Sequence, residues 1–153
     1  MKYAHHIIIT ALARPEEDSE HIKTGLRLLV PFPLEEQKIT LETQKLLTSD
    51  DRRMYKYTID LSKERHTTAF LRFLLETLSE EQKELLLSQA ENRLDEEYNF
   101  FIRIDKDKWK DEHLLWLTDS GQCYHLKIVL ATYPKQHDTA LTLVKTILTK
   151  KDI

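Results

Sequence analysis

Through the middle of the stretch NRLDEEYNFFIRIDKDKW, residues 92–109, apolar and polar positions alternate: Tyr98, Phe100, Ile102 and Ile104 fall on one side, Phe101, Arg103 and Asp105 on the other. A period of two with unlike faces marks a strand that buries one of them. The same test sorts the rest of the chain. Residues 3–13 are isoleucine-rich and read as a buried first strand. After Arg14-Pro15, the acids Glu16, Glu17 and Asp18 suit the first turn of a helix whose stripe is Ile22, Leu26 and Leu29, ended by Pro31. Ile39, Leu41 and Thr43 alternate in a second strand and Tyr55, Tyr57, Ile59 and Leu61 in a third, joined as a hairpin through Ser49-Asp50-Asp51. Ser62 is the expected N-cap of a helix carrying Phe70, Phe73, Leu74 and Thr77. The capping-box spacing Ser79–Gln82 restarts a second helix, with Leu86, Ala90 and Leu94 on one side. Beyond the 98–105 strand, residues 112–117 read as a fifth strand and 118–121 as a turn. A sixth strand sets Tyr124, Leu126, Ile128 and Leu130 against Cys123, His125, Lys127 and Val129. Ala140, Leu141, Val144 and Leu148 define a last helix with a lysine-rich end.

The expected order is therefore β-α-β-β-α-α-β-β-β-α. That is an α+β layout, with a mostly antiparallel or mixed sheet and helices packed on one face. At 153 residues, with no shift of composition along the chain, residues 1–153 are expected to form a single domain.

Composition narrows the chemistry. Two glycines leave no room for a P-loop or a dinucleotide fingerprint. The net charge of −3 supplies no global attraction for nucleic acid, so any such contact must come from a local patch. Cys123 is the single cysteine, which excludes an internal disulfide and fits a reducing compartment. The N-terminus does not resemble a signal peptide, and no run approaches the roughly 20 apolar residues of a membrane span. A soluble, cytoplasmic protein without membrane contact is the expectation.

Three constellations compete for function. His113, Cys123 and His125 lie on expected neighbouring strands, yet no metal-ligand spacing such as H-E-x-x-H or C-x-x-C occurs, and His5 and His6 point to opposite faces of one strand. Scattered histidines explain the pattern, and no metal or cofactor is expected. Asp95-Glu96-Glu97 and Asp105-Lys106-Asp107 are read as a turn and a strand end, and Cys123 as a small buried hydrophobe. No catalytic constellation results, so the chain is expected not to be an enzyme. The third is a sheet face: Phe101, Arg103 and Asp105 on one strand, His125 and Lys127 on another, Lys56 on a third. Such a face can hold single-stranded RNA, with a ring stacking on a base and cations meeting phosphate. A solvated face, or one that packs on a protein partner or a second copy as a homodimer, has the same pattern.

The element order, the opening His5-His6-Ile7-Ile8-Ile9, and above all Arg93-Leu94-Asp95-Glu96 leading into Phe101-Ile102-Arg103-Ile104-Asp105-Lys106 resemble an archaeal family. Its members are described as predicted exosome subunits or RNA-binding proteins with a ribosomal protein L5-like fold. The resemblance runs from about His5 to Tyr133, and its R-x-D-E and R-x-D-K motifs fall on Arg93, Asp95, Glu96, Arg103, Asp105 and Lys106. Two departures stand out. Asp107 replaces the family's usual Gln, and SDDRRMY (49–55) replaces its Gly-His-x-Gly-Asn-Pro stretch, leaving Arg52 and Arg53 as the cations there. The resemblance implies a non-catalytic RNA-binding module, an accessory of archaeal RNA processing or degradation with RNA and a processing complex as partners. Arg52, Arg53, Arg103, Lys106 and Lys127 would meet phosphate, Phe101 would stack, Asp105 would orient Arg103, and Arg93 and Asp95 would support. A protein-interaction module using the same sheet face is the alternative.

Overall fold

The computed structural model describes residues 1–151 and 153. Its elements are β1 (Ala4–Ala13), α1 (Ser19–Leu28), β2 (Glu42–Leu47), β3 (Arg53–Leu61), α2 (Glu64–Thr77), α3 (Glu80–Ser88), β4 (Asn99–Asp105), α4 (Lys106–Glu112), β5 (Cys123–Leu130) and α5 (His137–Thr149). The strands form one antiparallel sheet in the order β2-β3-β1-β5-β4. This is the expected α+β class.

The sheet's two faces follow from the alternation. Ile7, Ile9, Ala11 and Ala13 of β1, Tyr57, Ile59 and Leu61 of β3, Phe100, Ile102 and Ile104 of β4, and Tyr124, Leu126, Ile128 and Leu130 of β5 are all buried. They meet Ile22 and Leu26 of α1, Phe70, Leu71 and Leu74 of α2, Leu86 of α3, and Val144, Ile147 and Leu148 of α5 in one core. The helices thus occupy one side of the sheet, and the residues in between (Thr10, Thr58, Phe101, Arg103, His125, Lys127) face outward on the other. Gly25 lets α1 approach closely: a Cβ there would collide with the Tyr124 hydroxyl, which donates to the Ile22 carbonyl at 2.9 Å. The Gly25 carbonyl itself accepts from Trp109 Nε1 at 2.8 Å, which pins α4 to α1.

Several expectations shift. Residues 112–117 are not a full strand. The chain first makes α4, N-capped by Asp105 Oδ1 accepting from Lys108 N at 2.9 Å and ended by His113 in the left-handed region at φ 54°. Residues 113–117 then run beside the outer edge of β4 with a single bridge, Leu117 to Ile104. Leu115 and Leu117 are buried while Leu114 and Trp116 are exposed, an alternation that imitates a strand. The second strand begins at Glu42 rather than Ile39, because Ile39 and Leu41 pack against the core before pairing starts. Asp18 is the N-cap of α1 rather than part of its first turn, and Lys63, not Ser62, precedes α2. Ser79 does cap α3, accepting from Gln82 N at 3.2 Å. The Gln82 side chain does not return to close the box: buried, it accepts from Leu117 N at 2.7 Å.

Candidate nucleic-acid interface

The open face is densest in functional groups where β4 meets β5. Pairing sets Arg103 opposite His125 and Phe101 opposite Lys127. The rows continue across the sheet, His125 to Thr10 and Lys127 to Ile8, then Thr10 to Thr58 and Leu12 to Lys56. The Phe101 and His125 rings lie 5.4 Å apart at 43°, a tilted pair on the floor of the face. His125 is held below the ordinary imidazole range, first by burial and then by the positive charges of Arg103, Lys127 and Lys56. Three cations on three strands, Arg103, Lys127 and Lys56, therefore share this face in a molecule of net charge −3.

A hollow borders this floor on the β4 side, lined by Gln89, Asn92, Arg93, Asp95, Phe101, Arg103, Asp119 and His125. Its wall exists because β4's outer edge is covered by main chain. Phe101 N donates to Arg93 O at 2.9 Å, Asp105 N to Trp116 O at 2.7 Å, and Thr118 N to Arg103 O at 3.0 Å. The Arg93 guanidinium curls into the hollow, with Nε and Nη2 donating to Gln89 Oε1 at 2.9 and 2.7 Å. Burial, reinforced by the repulsion of Arg103, lowers its affinity for a proton although Asp119 opposes this. Asp95 shapes the turn into β4: it accepts from Glu97 N at 2.9 Å, Asn99 N at 2.8 Å and Asn99 Nδ2 at 3.1 Å. Burial raises its carboxyl, but those hydrogen bonds and the charge of Lys127 outweigh it and leave the carboxyl below its usual range.

The structure gathers Phe101, Arg103, Lys127 and Arg93 here, with Asp95 behind them, and separates the other expected contacts. Lys106 is only 2% exposed: Nζ donates to Leu12 O at 2.8 Å and pairs with Glu17 at 3.2 Å. It ties the end of β4 to the start of the β1–α1 connection and is withdrawn from any phosphate. Asp105 caps α4 instead of orienting Arg103, whose Nη1 donates to the Asp119 carbonyl at 3.1 Å. Arg52, on the exposed β2–β3 turn, is paired with Asp50 at 2.8 Å. Arg53 shares the helix-side parity of Tyr55 and Tyr57 and stands three strands away from Arg103, about 20 Å by strand spacing and rise. Asp119 and Gln89 are members of the hollow that the sequence did not single out; Asp119 sits in a Thr-Asp-Ser-Gly turn, which marks a bend and nothing more.

The metal trio does not assemble. His125 is on the open face, Cys123 is buried with its thiol pushed up by desolvation, and His113 ends α4 with its ring 5.7 Å from Trp109. Among the described residues no three His, Cys, Asp or Glu side chains are placed to hold an ion, and no helix is long and apolar enough to cross a membrane.

Residues 6–130 match a family model described as RNA binding. The chain is 24% identical over 150 residues to the RNA-binding protein PAB1135 of Pyrococcus abyssi, covering 97% of this chain and 96% of that one. Among solved structures it is similar to protein AF2318 of Archaeoglobus fulgidus, with 27% identity, a TM-score of 0.83 and coverage of 94% and 99%. A DUF54 protein of Methanothermobacter thermautotrophicus shares the fold at 24% identity, with a TM-score of 0.76 and coverage of 95% and 98%.

Proposed function

Because the chain belongs to the RNA-binding family, we propose that it is a single-domain, non-catalytic protein that holds single-stranded RNA on the open face of its sheet, at the β4–β5 edge. One observation carries the reading: strand pairing sets Arg103 against His125 and Lys127 against Phe101, so two cations flank the tilted pair of Phe101 and His125 rings. Phosphate meets the cations and a base lies on the ring, which gives affinity that falls with salt and little choice of sequence. The relative in Pyrococcus abyssi, similar over nearly its whole length and named an RNA-binding protein, supports this. A place as an accessory of archaeal RNA processing or degradation, associated with the exosome in an L5-like scaffold, follows from the family resemblance and belongs to the same proposal.

A protein-docking role for this face has less support. Its apolar side chains stand among polar ones rather than forming a flat patch: Ile8 is flanked by Asp60 and Lys127, and Leu12 by Lys56. The test is a titration of single- and double-stranded RNA at low and physiological salt, comparing wild type with Lys127→Ala and Arg103→Ala. Salt-dependent binding of the single strand, weakened by both substitutions, is the expected result. A folded protein that binds no RNA at low salt would end the RNA reading and return the face to a protein partner.

A further inference from the structure

The hollow beside Phe101 holds an arrangement that general attraction for RNA does not require. Asp119 reaches both arginines: its carbonyl accepts from Arg103 Nη1 at 3.1 Å, and its carboxylate Oδ1 stands 3.9 Å from Arg93 Nη2. The Arg93 side chain is 12% exposed and locked by Gln89, whereas the Asp119 side chain is 99% exposed. Two mutually repelling guanidiniums thus converge on one residue, whose carboxylate makes a single long, solvated contact, to Arg93 alone. The turn that carries Asp119 is fixed by its neighbours, Thr118 N to Arg103 O at 3.0 Å and Ser120 N to Thr118 Oγ1 at 3.1 Å. The carboxylate can therefore rotate away without unmaking the turn.

Resting on the RNA reading above, we infer that Asp119 occupies, in the free protein, the place of one RNA phosphate, and that Arg93 and Arg103 form a two-armed seat for that phosphate beside the Phe101 ring. A tetrahedral phosphate presents oxygens to the N–H groups that Gln89 and the Asp119 carbonyl leave free on both guanidiniums, whereas the Asp119 carboxylate, 3.9 Å from Arg93, satisfies neither. The ligand is a single strand, because a base can lie on Phe101 only when it is unstacked from its neighbours.

The experiment is an anisotropy titration of a short single-stranded oligoribonucleotide at fixed low salt. Asp119→Asn removes the competing anion and tightens binding roughly three-fold. Glu36→Gln, an equal charge change at an exposed position of the 34–38 turn, whose Gln37 meets His66 on the helical side, stays near wild type. Arg93→Lys keeps the charge but loses the fork, and weakens binding roughly ten-fold. If Asp119→Asn and Glu36→Gln tighten binding equally, the effect is bulk charge and the seat is refuted; this pair decides the matter even if Arg93→Lys fails to fold. If Asp119→Asn and Arg93→Lys both match wild type while Arg103→Ala still weakens binding, the seat is wrong and the RNA-binding face stands. No binding by wild type removes both.

Discussion

The two edges of the sheet carry similar charges on unlike scaffolds. At the β2–β3 end, Arg52 pairs with an aspartate two residues away on an exposed turn, and β2 beyond it is exposed at every position but Leu46. At the β4 end, main chain from both sides covers the outer strand, and its arginines are aimed by Gln89, just past the end of α3, and by the 118–121 turn. An edge left open leaves its cations solvated; an edge that is closed becomes a wall, and a wall makes a hollow. Arginine content therefore predicts little by itself. What distinguishes the two ends is how many long-range contacts hold the side chains still.

The contrast can be broken most severely at Lys106, which anchors the β4 end. Replacing it with Met leaves the Leu12 carbonyl unpaired and Glu17 with Arg14 alone, and a loss of about 2 kcal/mol in urea unfolding is expected. RNA affinity of the folded fraction should be unchanged, because the ammonium is buried. Next in size, Phe101→Ala should weaken single-stranded RNA binding about ten-fold through lost stacking. At the opposite end, Arg52→Ala combined with Arg53→Ala should change affinity less than about two-fold in the same titration, since neither side chain lies on the open face near Arg103. An effect as large as that of Arg103→Ala would erase the distinction between the edges.

The smallest effect is a pH dependence at His125. Its folded-state proton affinity is lowered, so the folded protein binds fewer protons there than the unfolded chain. That contribution to stability is present above the unfolded imidazole value of about 6.5 and is lost as pH falls from there through the lower folded value. RNA phosphate favours the protonated ring, so affinity should move the other way and rise over the same fall in pH. Measured against His125→Gln, which isolates this residue from His5 and His66, both slopes should flatten.

Much of this was legible where one side chain's fate depends on its near neighbours. The alternation of Phe100, Ile102 and Ile104 against Phe101 and Arg103 assigns the two faces of β4 directly. Helix α4 was obscured because KDKWKDE offers one apolar residue, Trp109, and the Asp105 cap was its only signal. Lys106 looks like Lys108 and Lys110 in the sequence; what buries it is Glu17, 89 residues away. Arg93 was marked by its motif, but its partner Asp119 was not, since only the path of the 113–122 segment along β4 brings them together.

That segment is held from beneath by one amide. Gln82 sits on the covered side among the helices, and its Oε1 fixes the main chain at Leu117, two residues before Asp119. The sheet edge thus joins the two layers: a side chain of the helical layer bonds the stretch of main chain that carries Asp119 on the opposite surface. Exchange at Gln82 is expected to retune RNA affinity without touching a nucleotide, which gives inherited variation in the interior a route to the binding face.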